Sequence, residues 1–217
     1  MDYLKQIKAN LPKHPGILGR DKYHNSGVII PIVKIDSDYN FLFQVRSEHV
    51  RQAGEICFPG GMHDYIHDKN FLDTAIRETV EEIGIKRCKI SILGQMDTLF
   101  APMGISIDSF IAYLKIKDLN ELKINKKEVE KIFILPVSFF INNPPKEYKI
   151  KLEVHPHYIN EKGEHETLLP VKDLGLPEKY SKPWTSKFYK IYVYQTPQGV
   201  IWGITAELVK ETIKLFH

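Results

Sequence analysis

The period of the apolar positions changes several times along the chain, and each change marks an element. Residues Asp2 to Leu11 place Leu4, Ile7 and Leu11 at helical spacing, and Pro12 and Pro15 end the run, which predicts a short helix. Gly27-Val28-Ile29-Ile30-Pro31-Ile32-Val33 is continuously apolar and reads as a buried strand, with Pro31 at a bulge or edge because it has no N–H for a ladder. Asn40 to Arg46 is its expected partner across the turn Asp36-Ser37-Asp38. Ala75, Ile76, Val80 and Ile83 return to the helical period, with Asp73 or Thr74 as cap and Gly84 as stop. Lys89 to Met96 and Ile107 to Ile116 alternate like strands. Asp97 to Ser106, with Pro102 and Gly104, is expected to be a loop over the site.

After the apolar run Ile132 to Phe140, a second pair, Lys146 to Val154 and Phe188 to Gln195, alternates with period two. Between them, His155 to Thr185 is long enough to line a binding pocket. Its His155, His157 and His165 lack ligand-like spacing, so solvated histidines are the simpler reading there. Ala206 to Phe216 closes the chain as an amphipathic helix. Alternating strands with two longer helices and no internal repeat fit an α/β fold, an α/β/α sandwich on a mixed β-sheet.

Composition narrows the function classes. The 217 residues, 43% of them hydrophobic, suffice for a core, and one domain over 1–217 is expected, with a homodimer allowed. A net charge of +3 demands neither nucleic acid nor a membrane surface as partner and suits an anionic small molecule. The first nineteen residues have no apolar secretory core and no window approaches a membrane span; the last three residues are not a peroxisomal address, so a cytoplasmic protein is expected. Cys57 and Cys88 fit no redox or zinc spacing and read as buried, reduced thiols.

Chemistry concentrates between Gly54 and Ile85. On the helix following Gly60-Gly61, Glu78, Glu81 and Glu82 stand three and four apart and project from one side. Like charges so spaced cost about 0.2 to 0.5 kcal/mol per pair, and a divalent cation reverses the sign. A solvated acidic face is the plain alternative for any such triplet. The glycine pair upstream lets backbone groups approach a ligand closely, and Arg77 can hold the neighbouring carboxylates in place. Arg46 and Arg51 are the basic residues best placed to meet a phosphate; a solvated charge at a strand end is the alternative for each.

Gly61 and Arg77-Glu78-Thr79-Val80-Glu81-Glu82-Ile83-Gly84-Ile85 resemble the Nudix box, G-x5-E-x7-R-E-U-x-E-E-x-G-U, of hydrolases that split nucleoside diphosphates linked to another group. The second half is complete. In the first half fifteen residues separate Gly61 from Arg77 instead of thirteen, no Glu stands between them, and Asp64 and Asp68 are the nearby acids. Phe41-Leu42-Phe43-Gln44-Val45-Arg46-Ser47 and Gly54-Glu55-Ile56-Cys57-Phe58-Pro59-Gly60-Gly61 are similar to the L-L-x-x-R-S…F-P-G-G segment of the branch that hydrolyses coenzyme A.

The resemblance implies the sandwich fold and a metal-dependent pyrophosphohydrolase acting on coenzyme A or a similar nucleoside diphosphate. Mg2+ or Mn2+ would be held by Glu78 and Glu82, with Glu81 and the Gly61 carbonyl contributing. Glu81 or Glu128 would serve as base, Arg77 would keep the carboxylates aimed, and Arg46, Arg51 and Gly60 would meet the substrate. ADP-ribose or dinucleotide hydrolysis, and a catalytically silent nucleotide-binding module, are the competing readings.

Overall fold

The computed structural model describes residues 2–14, 16–102, 104–185 and 188–216. Pro15, Met103 and His217, which bear on the first helix stop, the 97–106 loop and the C-terminal tripeptide, lie outside the described residues. The chain divides into two compact units, Met1–Phe139 and Phe140–His217.

The first unit is built on an eight-stranded sheet. Its strands are β1 (His24–Ile35), β2 (Asp38–Arg46), β3 (Ile56–Cys57), β4 (Gly60–Met62), β5 (Ile90–Gln95), β6 (Leu99–Ala101), β7 (Ile105–Leu114) and β8 (Val129–Pro136). The order is β3-β2-β1-β7-β5, with β4 on β1, β6 on β7 and β8 on β2. Among the described residues, only β1 and β7 run parallel in this sheet; its other pairings are antiparallel, so the sheet is mixed as expected. The apolar run containing Pro31 is a central strand rather than an edge. Ile29 donates its N–H to the Pro59 carbonyl, and pairing with β2 begins at Ile32, so residue 31 falls where β1 changes partner from β4 to β2. A missing N–H leaves no gap in a ladder there.

Helix α2 (Phe71–Ile83) lies across this sheet. It starts earlier than the sequence suggests: Asn70, not Asp73 or Thr74, is the cap, its side-chain oxygen accepting the Asp73 N–H at 2.9 Å. The extra turn has a reason in packing, since Phe71 and Leu72 join the cluster of Ile29, Ala75, Ile76, Phe110 and Ala112. Farther along, Ile83 enters a second cluster with Val33, Leu42, Ile85, Leu114, Ile116 and Leu122. Burying each such side chain stabilises by about 1.5–3 kcal/mol. Gly84 ends the helix in the left-handed region, φ 66°, as its position predicts.

Three further expectations shift. The 97–106 segment contains a short strand, β6, hairpinned onto β7. Cys88 is exposed in a 3-10 turn after α2, whereas Cys57 is largely covered; both thiols are free. The apolar run from Ile132 divides into β8 and a short helix, α3 (Val137–Asn142). Upstream of the sheet, helix α1 (Tyr3–Asn10) forms where the apolar spacing places it, but none of its residues is buried.

In the second unit, β9 (Lys146–Lys151), β12 (Phe188–Thr196) and β13 (Gly199–Trp202) form a three-stranded sheet that carries helix α4 (Gly203–Ile213). The long 155–185 segment is not structureless: β10 (His157–Ile159) and β11 (His165–Thr167) make a hairpin, and Val154 bridges Trp184. It lines a cleft of about 370 Å³ that includes His157, Lys172 and Ser181.

The distance of α2 from the sheet is set at Gly27. A Cβ there would stand 2.3 Å from the Phe71 carbonyl oxygen and 3.0 Å from the Ala75 nitrogen, both backbone atoms that cannot step aside. Gly27→Ala should therefore lower stability by about 1–3 kcal/mol, read as a lower urea midpoint at unchanged slope. A midpoint equal to that of the unaltered chain would mean the helix is not held this close.

Candidate functional site

The three box carboxylates leave α2 at different depths. Glu82 is buried at 5% exposure, Glu78 is partly covered, and the Glu81 side chain is about half exposed at 52%. The depth comes from the glycine turn opposite. Gly60 donates its backbone N–H to Glu82 Oε2 at 2.9 Å. A Cβ on Gly61 would stand 2.5–2.8 Å from the carboxyl atoms of Glu78, so only glycine lets this carboxylate lie against the chain. The plain alternative, a solvated acidic face, therefore does not hold for Glu82.

Burial disfavours the charged form of both groups. It raises the Glu78 pKa and pushes Glu82 up to about 7, even though the Gly60 N–H, the Gln44 amide and the nearby Arg46 guanidinium pull Glu82 the other way. The same burial, with Glu82 next to it, pushes the Cys57 thiol up to about 11, which removes it as a nucleophile at neutral pH.

Arg77 organises the outer side of the cluster. It meets Asp68 bidentately, Nε to Oδ1 and Nη2 to Oδ2 both at 2.9 Å, while its Nη1 donates to Glu78 Oε1 at 2.8 Å and Glu81 Oε2 at 3.1 Å. Of the two acids in the stretched loop, Asp68 is the one that reaches the helix. Asp64 instead closes a turn on itself, its oxygens accepting from the Ile66 N–H and contacting His67, while its own N–H donates to Asp68 Oδ2. The two extra residues are absorbed in that turn. Behind it, the Thr74 hydroxyl donates to Asp68 Oδ2 at 2.9 Å, and His63 Nδ1 contacts the same hydroxyl at 2.7 Å.

The remaining predicted residues divide. Arg46 lies on the site side, close enough to act electrostatically on Glu82, with its Nε fixed by the Arg51 carbonyl at 2.9 Å. Arg51 contributes that carbonyl, and its side chain is on an exposed turn. Glu128 comes near enough for its charge to raise the Glu78 pKa. Its loop is held from two sides: Ser47 N–H donates to the Glu128 carbonyl and Ser47 Oγ to the Lys127 carbonyl, while the Asn125 N–H donates to the Glu82 carbonyl. Ser47, Gln44 and His63 were not singled out in the sequence. A polar residue inside an apolar strand, as Gln44 is in Phe41-Leu42-Phe43-Gln44-Val45, was the available signal.

One guanidinium thus meets three carboxylates, those of Asp68, Glu78 and Glu81. No group of three or more His, Cys, Asp or Glu side chains among the described residues closes into a cation cage. The donor set is instead two covered carboxylates beside a glycine turn, and this fits Mg2+ or Mn2+, because Mg2+ commonly takes one or two carboxylates and completes its shell with water and substrate phosphate.

Breaking the Asp68–Arg77 pair has a defined cost. Arg77 holds the Asp68 carboxyl well below the usual carboxylate range, so its contribution to stability is present above about pH 3.9 and is lost as pH falls through the lowered value. Asp68→Asn should lower stability by about 1–3 kcal/mol at pH 7, and the gap to the unaltered chain should close in denaturant titrations taken below pH 4. A gap independent of pH would show that the charge of Asp68 is not what matters.

Residues 25–190 match the NUDIX domain family model. Nudix hydrolase 3 of Caenorhabditis elegans is 33% identical over 146 residues, 64% of this chain and 59% of that protein. Nudix hydrolase NudL of Photorhabdus laumondii is 28% identical over 97% of this chain and 94% of its own length. Peroxisomal coenzyme A diphosphatase ndx-8 of Caenorhabditis elegans is 36% identical over 55% of this chain, which spans 51% of that relative. With the box carboxylates gathered on α2 against the glycine turn and the family model covering most of the sequence, the chain belongs to the Nudix family of pyrophosphohydrolases.

Proposed function

We propose that this Nudix enzyme hydrolyses the pyrophosphate bridge of coenzyme A or an acyl-coenzyme A, giving 4′-phosphopantetheine (or its acyl form) and adenosine 3′,5′-bisphosphate. The observation that carries the reading is the Gly60 N–H on Glu82: the segment that resembles the coenzyme A branch ends in the turn that fixes a box carboxylate. The similarity to ndx-8, named a coenzyme A diphosphatase, supports the same substrate.

A divalent cation, Mg2+ or Mn2+, supplies charge neutralisation at the phosphates and a lowered pKa for water when bound. Glu78 and Glu82 are the residues that would hold it, with the Gly61 carbonyl and Glu81 at its margin. Arg77 keeps Glu78 and Glu81 aimed by bonding both while anchored on Asp68. Glu81 or Glu128 accepts the proton of the attacking water; as the new P–O bond forms, the bridging P–O bond breaks and its oxygen leaves with the other phosphate. Arg46 offers the guanidinium suited to a phosphate oxygen pair, and Gly60 lets the substrate approach the backbone.

Incubating the protein with Mg2+ and a panel of coenzyme A, ADP-ribose, NADH and diadenosine polyphosphates, with products resolved by mass, should show coenzyme A cleaved to the two stated products. Chelation should stop the reaction and Mn2+ or Mg2+ restore it. Cleavage of the sugar-linked substrates alone would exclude coenzyme A, and tight binding without turnover would favour a silent module. Glu82→Gln should reduce turnover by roughly a hundredfold or more, since cation charge is worth several kcal/mol in the transition state. Its melting temperature should not fall, because the substitution takes a charge out of a buried place. Undiminished turnover would put the cation elsewhere.

A further inference from the structure

The strongest feature outside the site is the N-terminal segment. Every large apolar side chain it contains is exposed: Tyr3 at 69%, Leu4 at 78%, Ile7 at 58% and Leu11 at 64%, followed by Ile17 and Leu18. At 3.6 residues per turn the first four fall within an arc of about 100°, so they form one apolar face. Lys5 and Lys8 stand beside it, Lys13 follows, and Asp2 caps the helix. A helix of eight residues is not stable in water without something to pack on.

Charge says what that something is. Residues 2–22 hold five basic side chains (Lys5, Lys8, Lys13, Arg20, Lys22) against Asp2 and Asp21, an excess of three, and the excess of the whole chain is also three. Beyond residue 22 the charges balance. Arg20 is engaged with Asp108, while Lys5, Lys8 and Lys13 are exposed. The partner must therefore offer an apolar layer bordered by negative charge. A second copy of this chain would bring lysines against lysines. A folded protein partner needs about 800 Å² from each side, more than one eight-residue helix presents.

We infer that α1 lies on the surface of an anionic lipid bilayer, its Tyr3, Leu4, Ile7 and Leu11 face in the headgroup boundary and its lysines on acidic headgroups. Such a helix lies on the membrane without crossing it, and no helix among the described residues is long and apolar enough to cross. The expectation from net charge, that no membrane partner is demanded, is read from the chain as a whole, whereas this inference rests on where the excess lies.

The test is sedimentation of the full chain with phosphatidylcholine vesicles, with and without about a third of phosphatidylglycerol, a composition chosen because each basic residue near an anionic surface contributes on its own. Binding should be at least tenfold stronger to the anionic vesicles and should weaken as salt rises. Leu4→Glu with Ile7→Glu should abolish it, and Lys5→Glu with Lys8→Glu should reduce it to the level of neutral vesicles, with melting temperatures unchanged because these side chains are exposed. Equal binding by either variant and the unaltered chain, or no vesicle binding at all, overturns the inference. Light scattering on the same samples reads the alternative: a change in oligomeric state in the Leu4→Glu, Ile7→Glu variant without vesicle binding would assign the face to a second copy.

Discussion

The site depends on how closely helix α2 approaches the strands beneath it, a distance that glycine alone permits. Gly27 admits the first turn of the helix to β1, and Gly61 admits the Glu78 carboxylate to the backbone of β4. With the helix seated this low, Glu82 falls within reach of the Gly60 N–H and loses its water. Fold and chemistry therefore share one steric condition. A larger residue at either place would lift the helix, and the carboxylates would return to solvent as an ordinary acidic face.

That condition generates the electrostatic problem that the rest of the site answers in part. Removing Glu78 and Glu82 from water opposes their ionisation, and the helix spacing adds mutual repulsion. Arg77 offsets some of it, but its geometry is spent mainly on Asp68, whose two oxygens take Nε and Nη2. The single remaining nitrogen, Nη1, is shared between Glu78 and Glu81. The Arg77 charge thus stays on the outer side of the helix, and on the face toward the glycine turn Glu82 is met by a backbone N–H and an amide, with Arg46 acting on it from nearby.

Much of this was legible in the sequence because it rests on period and spacing. Ala75, Ile76 and Ile83 marked the buried face of α2, Gly84 its end, and the three glutamates their common side. Glu78, Glu82, Arg77, Gly61 and Arg46 do converge, and Glu128 joins them through a loop tied to Ser47 and to the end of α2. What could not be read depends on contacts between distant segments. Asp64 and Asp68 are equivalent acids in a loop of altered length, and only the turn that Asp64 closes shows that Asp68 takes the arginine. The Asn70 cap was hidden because only the cluster around Ile29 gives Phe71 and Leu72 a place on the helix ahead of Asp73. Pro31 signalled a bulge or an edge, and no local pattern discloses that a central strand changes partners at that residue.

The buried polar groups elsewhere in the first unit sharpen the contrast. Asp108, at 2% exposure on β7, is as deeply placed as any glutamate of the box, yet it is fully answered: Arg20 supplies a counter-charge, and Gln95 and Thr98 each donate a hydrogen bond. Arg20 is in turn fixed by Asn25 and by the Phe71 ring at 4.1 Å. A carboxylate needed only to tie a turn and strands together is thus neutralised within the fold, because an uncompensated buried charge costs several kcal/mol. Among the described residues, Glu82 has no such ion pair. Its donors are a backbone N–H and an amide, with Arg46 acting on it but hydrogen-bonded through Nε to the Arg51 carbonyl. The chain had the means to neutralise a buried acid and used them at Asp108; at Glu78 it spends only a share of one Arg77 nitrogen, and at Glu82 none of the described residues forms an ion pair, which is the arrangement the proposed function requires.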